Sequence, residues 1–112
     1  MTLGAKQRKF SRMVAELIQK ANALGYEVTL GEAYRPPETA KIYAADGRGI
    51  SNSLHTMRLA IDLNLFQSGV YLQKSSSHLP LGEWWESQGG SWGGRFSKPD
   101  GNHYSLEYNG IR

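Results

Sequence analysis

Between Leu59 and Phe66 the chain alternates. Leu59, Ile61, Leu63 and Leu65 are apolar, and Ala60, Asp62 and Asn64 stand between them. Successive side chains of a strand point to opposite faces, so this run predicts a strand with one buried face. It also sets a carboxylate inside an apolar segment, Ala60-Ile61-Asp62-Leu63. Burying a lone carboxylate is costly unless it is paired or binds a metal; facing water on the polar side of the strand is the plainer alternative.

The other elements follow from periodicity and breakers. Phe10, Met13, Val14, Leu17, Ile18, Ala21 and Leu24 recur at three-and-four spacing, which predicts a helix over 5–24 with a buried stripe. Gly25 is placed to end it. Tyr26, Val28 and Leu30 alternate as in a half-buried strand. Pro36 and Pro37 suit the first turn of a short helix over 38–45, and Asp46-Gly47-Arg48-Gly49 reads as a loop. Gln67-Ser68-Gly69 predicts a turn into Val70-Tyr71-Leu72, residues 74–77 a polar loop, and 79–87 a helix carrying Trp84 and Trp85. The glycine-rich stretch 89–94 reads as irregular. A Pro99-Asp100-Gly101-Asn102 turn leads into a last strand over 103–108. The sum is a single α+β domain spanning 1–112, a small antiparallel sheet packed against helices.

Composition narrows the chemistry. The chain has 112 residues, room for one core. It has no cysteine, so disulfides, thiolate metal sites and cysteine nucleophiles are excluded, and any metal must be held by His, Asp or Glu. The formal charge of +3 is a mild basic bias that fits a polyanionic partner without choosing nucleic acid, anionic lipid or cell wall. Lys6, Arg8, Lys9 and Arg12 read as one solvated helix face. No apolar run approaches the ~20 residues that span a bilayer. The N-terminus lacks the apolar core of a secretory signal, so the chain is expected to stay in the cytosol until something releases it.

There are three histidines. His55 lies seven positions before Asp62, and His103 opens the last strand three positions after Asp100. Two His and one Asp with an open fourth position is a catalytic zinc pattern, and a neighbouring carboxylate suits a general base. The spacing alone is a weak indication, because scattered His and Asp are ordinary surface residues. His78, in a serine-rich loop with no acidic neighbour, reads as a surface histidine. Trp84, Trp85 and Trp92 read either as core aromatics or as walls of a cleft that Gly93 and Gly94 open to a peptide.

Residues Ser53-Leu54-His55-Thr56-Met57-Arg58-Leu59-Ala60-Ile61-Asp62 resemble the Ser-x-His-x-x-Gly-x-Ala-x-Asp signature of a zinc peptidase family. That family contains D-alanyl-D-alanine carboxypeptidases and dipeptidases, and phage endolysins that are L-alanyl-D-glutamate peptidases. Asp100-x-x-His103 resembles its second motif, an acidic residue three before the last zinc histidine. Arg35 resembles its arginine that binds substrate and stabilises the intermediate. Two positions depart: Arg58 replaces the usual glycine, and Tyr104-Ser105 follow His103 where many relatives have an aromatic residue and an acid. Glu107 comes two positions too late for that acid.

The resemblance implies one zinc per chain, held by His55, Asp62 and His103 on the sheet. It implies metal-assisted hydrolysis, with Asp100 taking a proton from water and giving it to the leaving amine, and Arg35 stabilising the oxyanion. Ser53 would orient substrate or His55, or only cap a turn. The activity expected is an L-alanyl-D-glutamate endopeptidase cutting peptidoglycan stem peptides, as a monomeric phage endolysin. It would be held in the host cytoplasm until it reaches the periplasm or wall, with no nucleic-acid partner and no stable membrane insertion. A D-alanyl-D-alanine carboxypeptidase is the close alternative; a non-enzymatic basic binding module built on the first helix is the distant one.

Overall fold

Helix α1 (Leu3–Ala23) starts two residues earlier than expected, because the Thr2 hydroxyl accepts a hydrogen bond from the Ala5 amide at 3.2 Å and caps it. It stops where Gly25 takes φ +89°. A computed structural model describes residues 1–47 and 53–112. Phe10, Met13, Leu17 and Ala21 of α1 are buried. Each large apolar side chain so buried contributes roughly 1.5–3 kcal/mol. The stripe therefore faces this protein's own core, except that Leu24, at the C-cap of the helix, is 42% exposed. Arg8 and Arg12 stay exposed, as expected of a solvated face.

The sheet is antiparallel throughout, in the order β1 (Glu27–Leu30), β2 (Ala60–Gln67), β5 (His103–Ser105), β4 (Ser91–Trp92), with β3 (Val70–Tyr71) also pairing with β2. The alternation of β2 is realised: Leu59, Ile61, Leu63 and Leu65 are buried against α1 and α3 (Leu79–Ser87) in one core with Leu81, Trp85, Trp92 and Tyr104. A slip of one residue would turn that whole set outward, so the register is firmly set. The β2–β3 hairpin turns through Ser68 and Gly69, both at positive φ (51° and 77°), the backbone of a tight two-residue hairpin turn. Helix α2 (Pro37–Ala45) buries only Ala40. Of the loop expected at Asp46-Gly47-Arg48-Gly49, Arg48 and Gly49 lie outside the described residues.

Four expectations are corrected. Tyr26 and Val28 are half-buried, but Leu30 is 65% exposed, because β1 is an edge strand. Residues 89–94 are not irregular: Ser91–Trp92 form β4, paired with β5, and Gly93–Arg95 a 3-10 turn. The last strand ends at Ser105, after which Tyr108 pairs with Ile111 instead. His78 is not a surface residue. It closes the 3-10 turn Ser75–His78, is 3% exposed, and its Nδ1 shares a hydrogen bond with the buried Tyr104 hydroxyl at 2.7 Å. Trp85 and Trp92 are core aromatics, their indole N–H groups donating to the Ser105 and Gly101 carbonyls. No helix among the described residues is long and apolar enough to cross a membrane.

Candidate metal centre and active site

The strand register builds the centre. Asp62 of β2 and His103 of β5 are Cα partners, so their side chains leave the same face of the sheet side by side. His55 reaches them from a 3-10 turn, Leu54–Met57, that precedes β2. The buried Ser53 caps this turn: its hydroxyl accepts from the His55 amide at 3.2 Å, and its carbonyl accepts from the Thr56 hydroxyl. Arg58 closes the turn at φ 56°, ψ 36°, the left-handed region that glycine adopts without cost. This is the position where the resemblance leads one to expect glycine. Arg58 holds the same backbone with a side chain, and its guanidinium lies 4.0 Å from the centre of the Tyr34 ring. Such a contact contributes about 0.5–1 kcal/mol at an exposed site, comparable with the roughly 1–2 kcal/mol strain of the left-handed backbone.

One ligand atom from each of His55, Asp62 and His103 lies within 4.8 Å of the other two. The Asp62 Oδ1 atom is 3.3 Å from His55 Nε2 and 3.6 Å from His103 Nδ1. That oxygen is buried and has no conventional hydrogen-bond donor. The His55 Nδ1–H donates to the Ala33 carbonyl at 3.0 Å, which leaves Nε2 with its lone pair toward Asp62. Two imidazole nitrogens and an orphaned carboxylate oxygen converging on one point fit a divalent ion such as zinc.

The electrostatics agree with that arrangement. Burial would raise the Asp62 carboxyl, but close polar contact with the His103 and His55 rings brings it down to about 2. Burial opposes a charged His55; Asp62, the Ala33 carbonyl and Glu32 outweigh it and raise its proton affinity. Asp100 is pushed the other way. Partial loss of water, then repulsion from Asp62, raises its carboxyl above the usual range, with His103 and His55 partly offsetting this. A carboxylate that accepts a proton more readily than usual is suited to acid–base work.

Asp100 is brought to the cluster by close backbone packing. Its amide donates to the Gly93 carbonyl at 2.9 Å, and its own carbonyl accepts from the His103 amide at 3.0 Å. A Cβ on Gly93 would fall 2.2 Å from the Asp100 carbonyl oxygen and 2.8 Å from the His103 Cβ. A Cβ on Gly94 would strike the Trp92 ring at 2.3 Å. These two glycines therefore make room for the protein's own turn and indole, not for a peptide. Glu107, the later acid, is exposed and lines a groove with Lys6 and Lys9, apart from the cluster residues.

Arg35 follows β1, its amide donating to the His55 carbonyl at 3.0 Å. Its guanidinium is gripped by Glu32, a residue that sequence reasoning passed over. The charged pair three positions apart is visible in the sequence; its place beside His55 is not, because that depends on β1 lying along β2.

The sequence profile of a peptidase family described as D-alanyl-D-alanine carboxypeptidase matches residues 46–106. No curated protein matches the chain in sequence. Among solved structures it is similar to the Serratia marcescens L-Ala D-Glu endopeptidase ChiX, with a TM-score of 0.71 at 17% identity, covering 93% of this chain and 85% of that one.

Proposed function

The chain belongs to the peptidase family described as D-alanyl-D-alanine carboxypeptidase, and from that premise we propose that it hydrolyses an L-alanyl-D-glutamate bond in bacterial peptidoglycan. The observation that carries the reading is the convergence of His55, Asp62 and His103 within 4.8 Å in a chain of this family. The choice of bond is supported by the likeness of its fold to an L-Ala D-Glu endopeptidase. The family's own description favours a second reading, D-alanyl-D-alanine carboxypeptidase.

His55, Asp62 and His103 would hold zinc. When bound, zinc supplies a Lewis acid and lowers the pKa of water toward roughly 7. The protein's groups do the rest. Asp62, ionised far into acid, contributes a fixed negative charge. His55 keeps its proton on Nδ1, against the Ala33 carbonyl. Asp100 accepts the proton of the attacking water and passes it to the leaving nitrogen. Arg35 carries a permanent charge to the developing oxyanion or to a substrate carboxylate. Ser53 acts through the turn it caps, with substrate contact from its hydroxyl part of the same proposal.

The role proposed for this activity is lysis by a phage endolysin, retained in the host cytoplasm until it reaches the wall. The test is mass spectrometry of fragments released from purified peptidoglycan by protein shown by elemental analysis to carry one zinc per chain. New peptides beginning at D-glutamate are expected. Loss of single D-alanine residues would select the carboxypeptidase reading, and zinc retained in a His55→Ala/His103→Ala double variant would remove the metal assignment. Gram-negative cells should lyse only after their outer membrane is permeabilised.

A further inference from the structure

Residues 31–35 run along the metal cluster, stitched to it by backbone. Gly31 donates to the Asp62 carbonyl at 2.8 Å, Asp62 donates to the Glu32 carbonyl at 2.9 Å, and Arg35 donates to the His55 carbonyl. From this segment the Glu32 side chain turns back. Its Oε1 accepts from Arg35 Nε at 2.9 Å and from Arg35 Nη2, and lies 3.8 Å from His55 Nδ1. The Arg35 guanidinium also sits 5.2 Å from the centre of the Tyr43 ring. Two roles for Glu32 are excluded by which edge of His55 it faces. Nδ1 is on the opposite side of the ring from Nε2, the atom turned to Asp62. Glu32 thus stands behind His55, neither a fourth ligand nor the base that meets the water.

We propose that Glu32 is the positioning residue of this site: one carboxylate oxygen fixes the Arg35 guanidinium and backs the Nδ1–H edge of His55. The inference rests on the peptidase reading and deepens it. A free arginine has several rotatable bonds, and stabilising an oxyanion requires its donors to be in place before charge develops. Glu32 occupies Nε and one side of Nη2, which leaves Nη1 and the outer Nη2 proton for the incoming oxygen. It also partly neutralises Arg35, so the arginine acts as an aimed donor more than as a general trap for anions. Behind His55, its charge favours the tautomer with Nε2 free.

The test is a double-mutant cycle on the zinc-loaded protein, with release of stem peptides as the rate. Arg35→Ala should lose about 100–1,000-fold. Glu32→Ala should lose about 10–100-fold, with zinc content and thermal midpoint near wild type. The double variant should lose clearly less than the product of the two single losses, because the arginine that Glu32 aims is then gone and only its place behind His55 remains. Losses that multiply would overturn the proposal, as would a Glu32→Ala loss explained entirely by lost zinc. Glu32→Gln, which keeps the shape and one acceptor oxygen, should lose less than Glu32→Ala; an equal loss would point away from the hydrogen bond. A readout independent of activity separates this from the peptidase reading. The Arg35 Nε–H signal in nitrogen-15 spectra should be protected from exchange in wild type and unprotected in Glu32→Ala. If wild type releases nothing from peptidoglycan, the peptidase reading fails on its own account. An Arg35 signal that Glu32→Ala leaves unchanged overturns the positioning role whatever the activity.

Discussion

At the scale of single residues, Asp100 and Asp62 are two carboxylates whose surroundings pull them apart: one is held ionised to about 2, the other raised above the ordinary range. Asp100→Asn should therefore lose about 100–10,000-fold in stem-peptide release while keeping zinc and thermal midpoint, because the amide is nearly isosteric but cannot take a proton. Asp62→Asn should instead lose the metal. Parallel zinc analysis of the two variants checks the division, and loss of zinc from Asp100→Asn would make Asp100 a ligand. The convergence of Asp62 with His55 and His103 was legible beforehand through the motif of residues 53–62, the spacing alone indicating it only weakly. Glu32 and His78 were not legible in the same way. A histidine among serines carries no mark of burial; only the packing of its turn against Tyr104 hides it. Ser53 could be read three ways from sequence, and the structure shows the hydroxyl capping the His55 turn.

At the scale of elements, periodicity served well where an element has one wet and one dry face. The stripe of α1 and the alternation of β2 are of this kind, and their bounds fall within two residues of expectation. It failed at 89–94, where glycine suggested irregular backbone. There Gly93 does the opposite, allowing β4 and the Asp100 turn to pack closer than any side chain permits. Gly93→Ala forces a methyl to 2.2 Å from the Asp100 carbonyl oxygen. Overpacking of this kind costs about 1–3 kcal/mol, and relief can come only by pushing the turn away. Activity should fall by more than stability does, measured as stem-peptide release beside urea unfolding, because the displaced turn carries Asp100. A variant as active as wild type would show that the turn tolerates the shift.

For the molecule as a whole, His78 ties stability to pH. Burial lowers its pKa from 6.5 to about 4, so the folded state prefers it neutral. Between those values the unfolded chain binds more protons, and stability is lost as pH falls from about 6.5 toward 4, with no further loss from this group below that. The effect is up to about 3 kcal/mol. His55 and Asp100, whose proton affinities the fold raises, work in the opposite sense, so the share of His78 is read from the difference between wild type and a His78 variant. Urea unfolding at pH 4.5 and pH 7 should show wild type losing more stability toward acid than His78→Asn does; equal slopes would assign the pH dependence elsewhere. The β2 strand is the partition of this small protein, with oil on one side and the reactive cluster on the other. Its residue numbers consequently carry a parity. Leu59, Ile61, Leu63 and Leu65 decide whether the chain stays folded, and Asp62, set between them, turns to the two histidines. Selection for abundance and selection for activity would therefore fall on neighbouring letters of a single eight-residue word.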